Sequence, residues 1–64
     1  MINIGDVVIC TWGSNKGNEF IVKKILDNGN FSCVLKDGSN NKHYEYCSKT
    51  TVLKEELNKA INKE

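Results

Sequence analysis

Gly5-Asp6-Val7-Val8-Ile9-Cys10-Thr11-Trp12-Gly13-Ser14-Asn15-Lys16-Gly17-Asn18-Glu19-Phe20-Ile21-Val22-Lys23-Lys24-Ile25 holds two extended runs with a turn-rich loop between them. The first run, Val7 to Trp12, follows the turn residues Gly5-Asp6 and is rich in β-formers. Its alternation sets Val8, Cys10 and Trp12 on one face, with Val7, Ile9 and Thr11 on the other. Gly13 to Asn18 is dense in residues that tolerate positive φ, so it reads as the connecting loop. In the second run, Glu19 to Leu26, Phe20 and Val22 share a face, but the next clear apolar residue is Ile25. A step of three, where a strand repeats every two, predicts a bulge or sharp bend at Lys23-Lys24. Such a bend lets a short sheet curl.

Downstream, Asp27-Asn28-Gly29-Asn30 carries the Asn-Gly pair that marks hairpins. A third strand, Phe31 to Lys36, alternates Phe31, Cys33 and Leu35 against Ser32, Val34 and Lys36. Asp37 to Asn41 is another turn. A fourth strand, Lys42 to Cys47, sets Tyr44 and Tyr46 opposite His43, Glu45 and Cys47. After a break at Ser48-Lys49 comes a β-prone piece, Thr50 to Leu53. Lys54 to Lys63 reads as helix, with Leu53, Leu57, Ala60 and Ile61 at helical spacing and Glu55 four residues before Lys59. So short a helix is not stable alone in water and must pack on the sheet, a second subunit or a target. The chain is expected to be mainly β: residues 1–53 a small barrel, residues 54–64 an amphipathic helix packed on the barrel or a partner. Five short strands, a break before the last and no crossover helix resemble a Src-homology-3-like small barrel.

The spacing Gly5-Asp6, Val8, Gly13, Lys16-Gly17, Val22, Ile25 also resembles the KOW motif, the strand-loop-strand unit of ribosomal and transcription-elongation proteins. The resemblance covers residues 5–25. It implies the first two strands of a bent barrel, a glycine-containing loop in which Lys16 reaches phosphate, and an RNA or nucleoprotein partner. Phe20 departs from the pattern, standing where the family commonly has glycine. A large ring there suits a barrel and opposes close backbone approach to RNA. Cys10 and Trp12 also replace plainer residues. Fold of this kind does not transmit function.

Composition narrows the function classes. The 64 residues allow one domain at most, and a chain of this size buries only about 60% of its unfolded surface. Met1 is expected to begin a complete small gene product. Cys10, Cys33 and Cys47 cannot pair completely, no secretory signal precedes them, and no apolar run approaches the ~20 residues that span a bilayer. A reducing cytoplasm is the expected compartment, with no membrane association. Nine lysines face eight carboxylates, giving a net charge of +1, and arginine is absent. Phosphate binding and base-edge readout draw on positive charge and on arginine, so both are thinly supplied. Heavy use of Asn, Lys and Ile, without Pro or Arg, suits an A/T-rich genome such as a low-GC bacterium or its phage.

Catalysis is not expected. His43 and Cys47 share a strand face, but four residues along a strand span about 13 Å. The cysteines, 23 and 14 positions apart within strands, lack the paired spacing of a zinc site, so no metal and no cofactor is expected. Binding is the better reading. Trp12 stands beside the loop and tryptophan is enriched among hot spots, although the core is the commoner place for a lone Trp. Tyr44 and Tyr46 form a pair that stacks bases in single-strand binders or packs a core. Lys23 and Lys24 at the bend, with Lys16 and Lys42, are candidates for phosphate or an acidic protein surface. The open edge strands, or the Leu57/Ile61 stripe, are candidate contacts for a homodimer or a target. The expected function is a non-enzymatic protein that binds a host or cellular protein, as would a phage or mobile-element inhibitor of a defence enzyme. The alternative is a KOW-type module for RNA or nucleoprotein.

Overall fold

The computed structural model describes residues 2–62, with side chains through Ala60. Five antiparallel strands form one sheet: β1 (Val7–Cys10), β2 (Glu19–Ile25), β3 (Asn30–Leu35), β4 (Tyr44–Cys47) and β5 (Thr51–Leu53). A 3₁₀ turn (Ser48–Thr50) joins β4 to β5, and helix α1 (Lys54–Asn62) follows. The order across the sheet is β4-β3-β2-β1-β5. The 3₁₀ turn therefore carries the chain from one edge of the sheet to the other. β4 pairs with β3 and β5 with β1, and the sheet is not closed between β4 and β5.

Register explains the core. Val8 lies opposite Phe20 and Leu53, Phe20 opposite Leu35, Val22 opposite Cys33, and Phe31 opposite Tyr46. Paired residues share a face, so the odd-even alternation of each strand delivers its apolar set to one side. Val8, Cys10, Phe20, Val22, Phe31 and Cys33 are all at most 2% exposed, with Ile2, Leu35, Tyr44, Tyr46 and Leu53 packed around them. Complete burial of a Phe or Val side chain contributes about 1.5–3 kcal/mol, and this cluster is the main source of stability.

The register of β2 and β3 shifts between Val22 and Lys24, as the three-residue step predicts. Lys23 is the extra residue, and beyond it Ile25 returns to the core face opposite Phe31. The β2–β3 connection is a three-residue loop closed by Leu26 N donating to Asn30 O (2.9 Å), with Gly29 at φ +88°. The Asn-Gly signal thus serves a turn ending in a left-handed glycine, not a two-residue turn with both central residues at positive φ.

Two boundaries differ from the sequence reading by two residues, and those of β2, β3 and β5 shift by one. β1 ends at Cys10, not Trp12: Thr11 still donates in register to the Thr50 carbonyl, from N (2.7 Å) and Oγ1 (2.9 Å), and Gly13, at φ +88°, then turns the chain into the loop. β4 begins at Tyr44, not Lys42. Helix α1 contacts β1 and β5. Its start is tied to β2 by Lys54 Nζ and Glu19 Oε1 at 3.0 Å, and Glu55 meets Lys59 at 3.6 Å as its i, i+4 spacing implies. Leu57 is half-buried. Ile61, its expected companion in the contact stripe, lies outside the described side chains.

Candidate functional site

An aromatic cluster stands where two loops converge. Tyr44 and Tyr46 project from the core side of β4, an edge strand with a neighbour on one side only, so both remain half-buried. Their rings lie nearly parallel, 6° apart with centroids at 6.0 Å, and each meets the buried Phe20 edge-on at 5.3 Å. Asn15, in the β1–β2 loop, donates from Nδ2 to Tyr46 Oη at 2.7 Å. Asn40, in the β3–β4 loop, reaches Tyr44 Oη from Nδ2 at 3.5 Å, and Lys42 Nζ sits 5.0 Å from the Tyr44 ring centre. Burial pushes the Tyr46 hydroxyl up from its usual pKa, with the Asn15 hydrogen bond opposing in part. Of the two readings made of the tyrosines, core packing is the one these contacts match, and the same rings also pin both loops.

The pinned β1–β2 loop presents Trp12, which is 75% exposed. A core position, the commoner place for a lone tryptophan, is not what this residue takes. Strand alternation stops with β1 at Cys10, and Trp12 belongs to the loop beyond it. Its backbone is nonetheless held, since its carbonyl accepts the Cys10 thiol at 2.9 Å. Gly17, at φ +89°, turns the chain back into β2 while its N–H donates to Cys10 O at 2.8 Å. A large apolar side chain is thus displayed on a braced backbone. Beside the same loop an open cleft of about 500 Å³ runs between Gly17-Asn18 and Lys36-Asp37, with Leu35 in its lining. Glu19 in that lining is held below the ordinary carboxylate range, chiefly by the Lys54 hydrogen bond, and Asp37 by the Ser39 backbone N–H.

The candidate lysines do not meet at one place. Lys16 is exposed in the β1–β2 loop, and Lys42 leans on Tyr44. Lys23 lines a shallow groove with Val34, Asn40 and His43, whereas Lys24 stands opposite Ser32 on the face away from the core. Lys36 is engaged with Glu19 at 3.5 Å. Sequence reasoning missed Asn15 and Asn40, since nothing in a single sequence shows which loop amide will reach which tyrosine.

The groups capable of chemistry are dispersed. His43 Nδ1 contacts Ser32 Oγ at 3.2 Å on the outer face, and Cys10 and Cys33 are buried in the core. Cys47 Sγ accepts the Lys49 N–H at the start of the 3₁₀ turn. Among the described residues no three His, Cys, Asp or Glu side chains group as metal ligands, and no helix is long and apolar enough to cross a membrane. No protein-family model matches the chain, and neither a curated protein nor a solved structure is significantly similar to it.

Proposed function

We propose that this chain is a Src-homology-3-like, KOW-related small barrel that acts without catalysis, by protein–protein contact through the Trp12 loop and the adjoining tyrosine lid. The strand order, the Lys23 bulge and the 3₁₀ turn joining the two sheet edges support the barrel reading. The observation that carries the functional reading is Trp12: three-quarters exposed, on a backbone braced by Cys10 and beside a loop amide pinned to Tyr46. With its backbone held, an exposed indole has only two side-chain torsions to fix on binding, and buried tryptophans dominate interface energies.

Protein is favoured over RNA by the same cluster. The tyrosine rings already spend contact area on one another, on Phe20 and on Lys42, which lessens their use as a base-stacking platform. The absence of arginine and the dispersal of the lysines point the same way. In a phage or mobile element the partner would be a host factor such as a defence enzyme.

The test is affinity purification from nuclease-treated host extract with the wild type and Trp12→Ala. A defined protein should be retained by the first and lost by the second. Loss of a central tryptophan should weaken the isolated complex by about 2 kcal/mol or more, roughly 30-fold. Retention of nucleic acid alone, with steeply salt-dependent shifts of RNA mobility, would replace this reading by the KOW-type one.

A further inference from the structure

A second surface, away from the Trp12 loop, has the attributes of a peptide site. A groove of about 420 Å³ runs between β5 and the β2–β3 turn. Ile2, Ile25, Phe31 and Leu53 give it apolar walls, and Ile25 is 44% exposed at its rim. Every residue of β5 lines it.

Register defines the edge that β5 offers. Cys10 N donates to Asn18 O, and Val22 N to Asp6 O, so Asp6, Val8 and Cys10 direct their backbone groups to β2. The alternate residues of β1 serve β5, as the bond from Thr11 N to Thr50 O shows. In an antiparallel ladder this makes Ile9–Val52 the bonded pair and turns the backbone groups of Thr51 and Leu53 away from β1. They face the side of β5 on which the sheet has no further strand. Thr51, in the same groove wall, is 4% exposed, and its Oγ1 has no hydrogen-bond partner among the described residues. A buried hydroxyl without a partner is costly, so the packing beside this edge is not optimised for the free chain. Among the described residues the one charged group in the lining is Glu56, in the first turn of α1.

We infer that this groove binds an extended peptide that adds alongside β5, lays one large apolar side chain between Ile25 and Phe31, and sets a lysine or arginine against Glu56. Main-chain hydrogen bonds to a strand edge supply affinity and the pocket supplies selectivity. The site is independent of the Trp12 surface.

The probes are capped pentapeptides of the form Thr-Val-X-Arg-Thr, with X as Val, Leu, Ile or Phe, titrated into the isotope-labelled full chain and followed by amide chemical shifts. At least one should move the amides of Ile25, Phe31, Thr51 and Leu53 saturably. Replacing X by Asp, or N-methylating the peptide on alternate amides, should weaken binding about tenfold or more. Glu56→Gln should cost about threefold for the arginine peptides and nothing for a version with Gln in place of Arg. Ile25→Asp, at an exposed rim position, should abolish the shifts while the remaining spectrum stays folded. Trp12→Ala should leave the titration unchanged, so the two surfaces fail or succeed separately. The proposal is overturned if none of the four peptides gives saturable shifts at these residues, or if the N-methylated peptide binds as well as its parent. It is equally overturned if the same amides shift with protein concentration alone, since a second copy would then be the occupant.

Discussion

Single residues carry the sharpest consequences. Thr51 turns toward the core opposite Cys10, and its hydroxyl is unpartnered among the described residues. Thr51→Val keeps the shape and removes the orphaned group, so it should raise stability by about 1 kcal/mol, read as a higher urea midpoint at unchanged slope. Cys33 supplies a pH signature. Burial, with Cys10 as a lesser cause, pushes its thiol from an ordinary 9.0 up to about 11. Between those values an unfolded chain has lost a proton that the folded chain keeps. Stability is therefore full below pH 9 and falls as pH rises toward 11. Tyr46 and Lys54 are also raised and act in the same direction at higher pH. Urea midpoints of the wild type and Cys33→Ala from pH 8 to 10 should diverge at the low end and converge as pH rises; parallel curves would exclude the Cys33 contribution. Trp12 shows where reading residues alone fell short. Alternation assigned it to the core face, but the assignment assumed that the strand continued, and the chain leaves the ladder after Thr11.

At the scale of elements, the local pattern was legible. The apolar alternation of β1, β2 and β3, the step of three at Lys23-Lys24 and the 53-57-60-61 helical spacing are periodicities, set by backbone geometry that each segment carries within itself. Their interiors match the structure, and the larger disagreements, of two residues each, are at the ends of β1 and β4, where the chain turns into a loop. The β2–β3 turn is a second case of local determination, because Gly29 at φ +88° occupies a region that costs a residue with a Cβ about 1–2 kcal/mol. Gly29→Ala should destabilise the fold by about that amount although a Cβ there meets no atom within 4 Å. A destabilisation below about 0.3 kcal/mol in urea unfolding would show that the turn relaxes to another type.

The whole molecule is small enough for one side chain to decide whether it folds. A single core in a domain under about 70 residues rarely supplies more than 3–5 kcal/mol. Phe20 is fully buried, packs edge-on against both tyrosines and lies opposite both Val8 and Leu35. Phe20→Ala should cost about 3–5 kcal/mol, comparable to the entire stability, and leave the chain largely unfolded at 25 °C by amide dispersion and circular dichroism. The ring that departs from the KOW pattern is thus the one on which the tyrosine lid and the two loops depend. Trp12→Ala, by contrast, should shift the urea midpoint by no more than about 0.5 kcal/mol equivalent, because an exposed side chain has little packing to lose.

Strand identity, the bulge and the turn glycine Gly29 all follow from neighbours in the chain. The meeting of Asn15 with Tyr46, the separation of the lysines, the exposure of Trp12 and the groove beside β5 do not. Each depends on which strands pair and in what register, and pairing is settled by contacts between residues far apart in sequence. One residue of slip would exchange the two faces of a strand. Periodicity names the faces; only the assembled sheet decides what stands next to them.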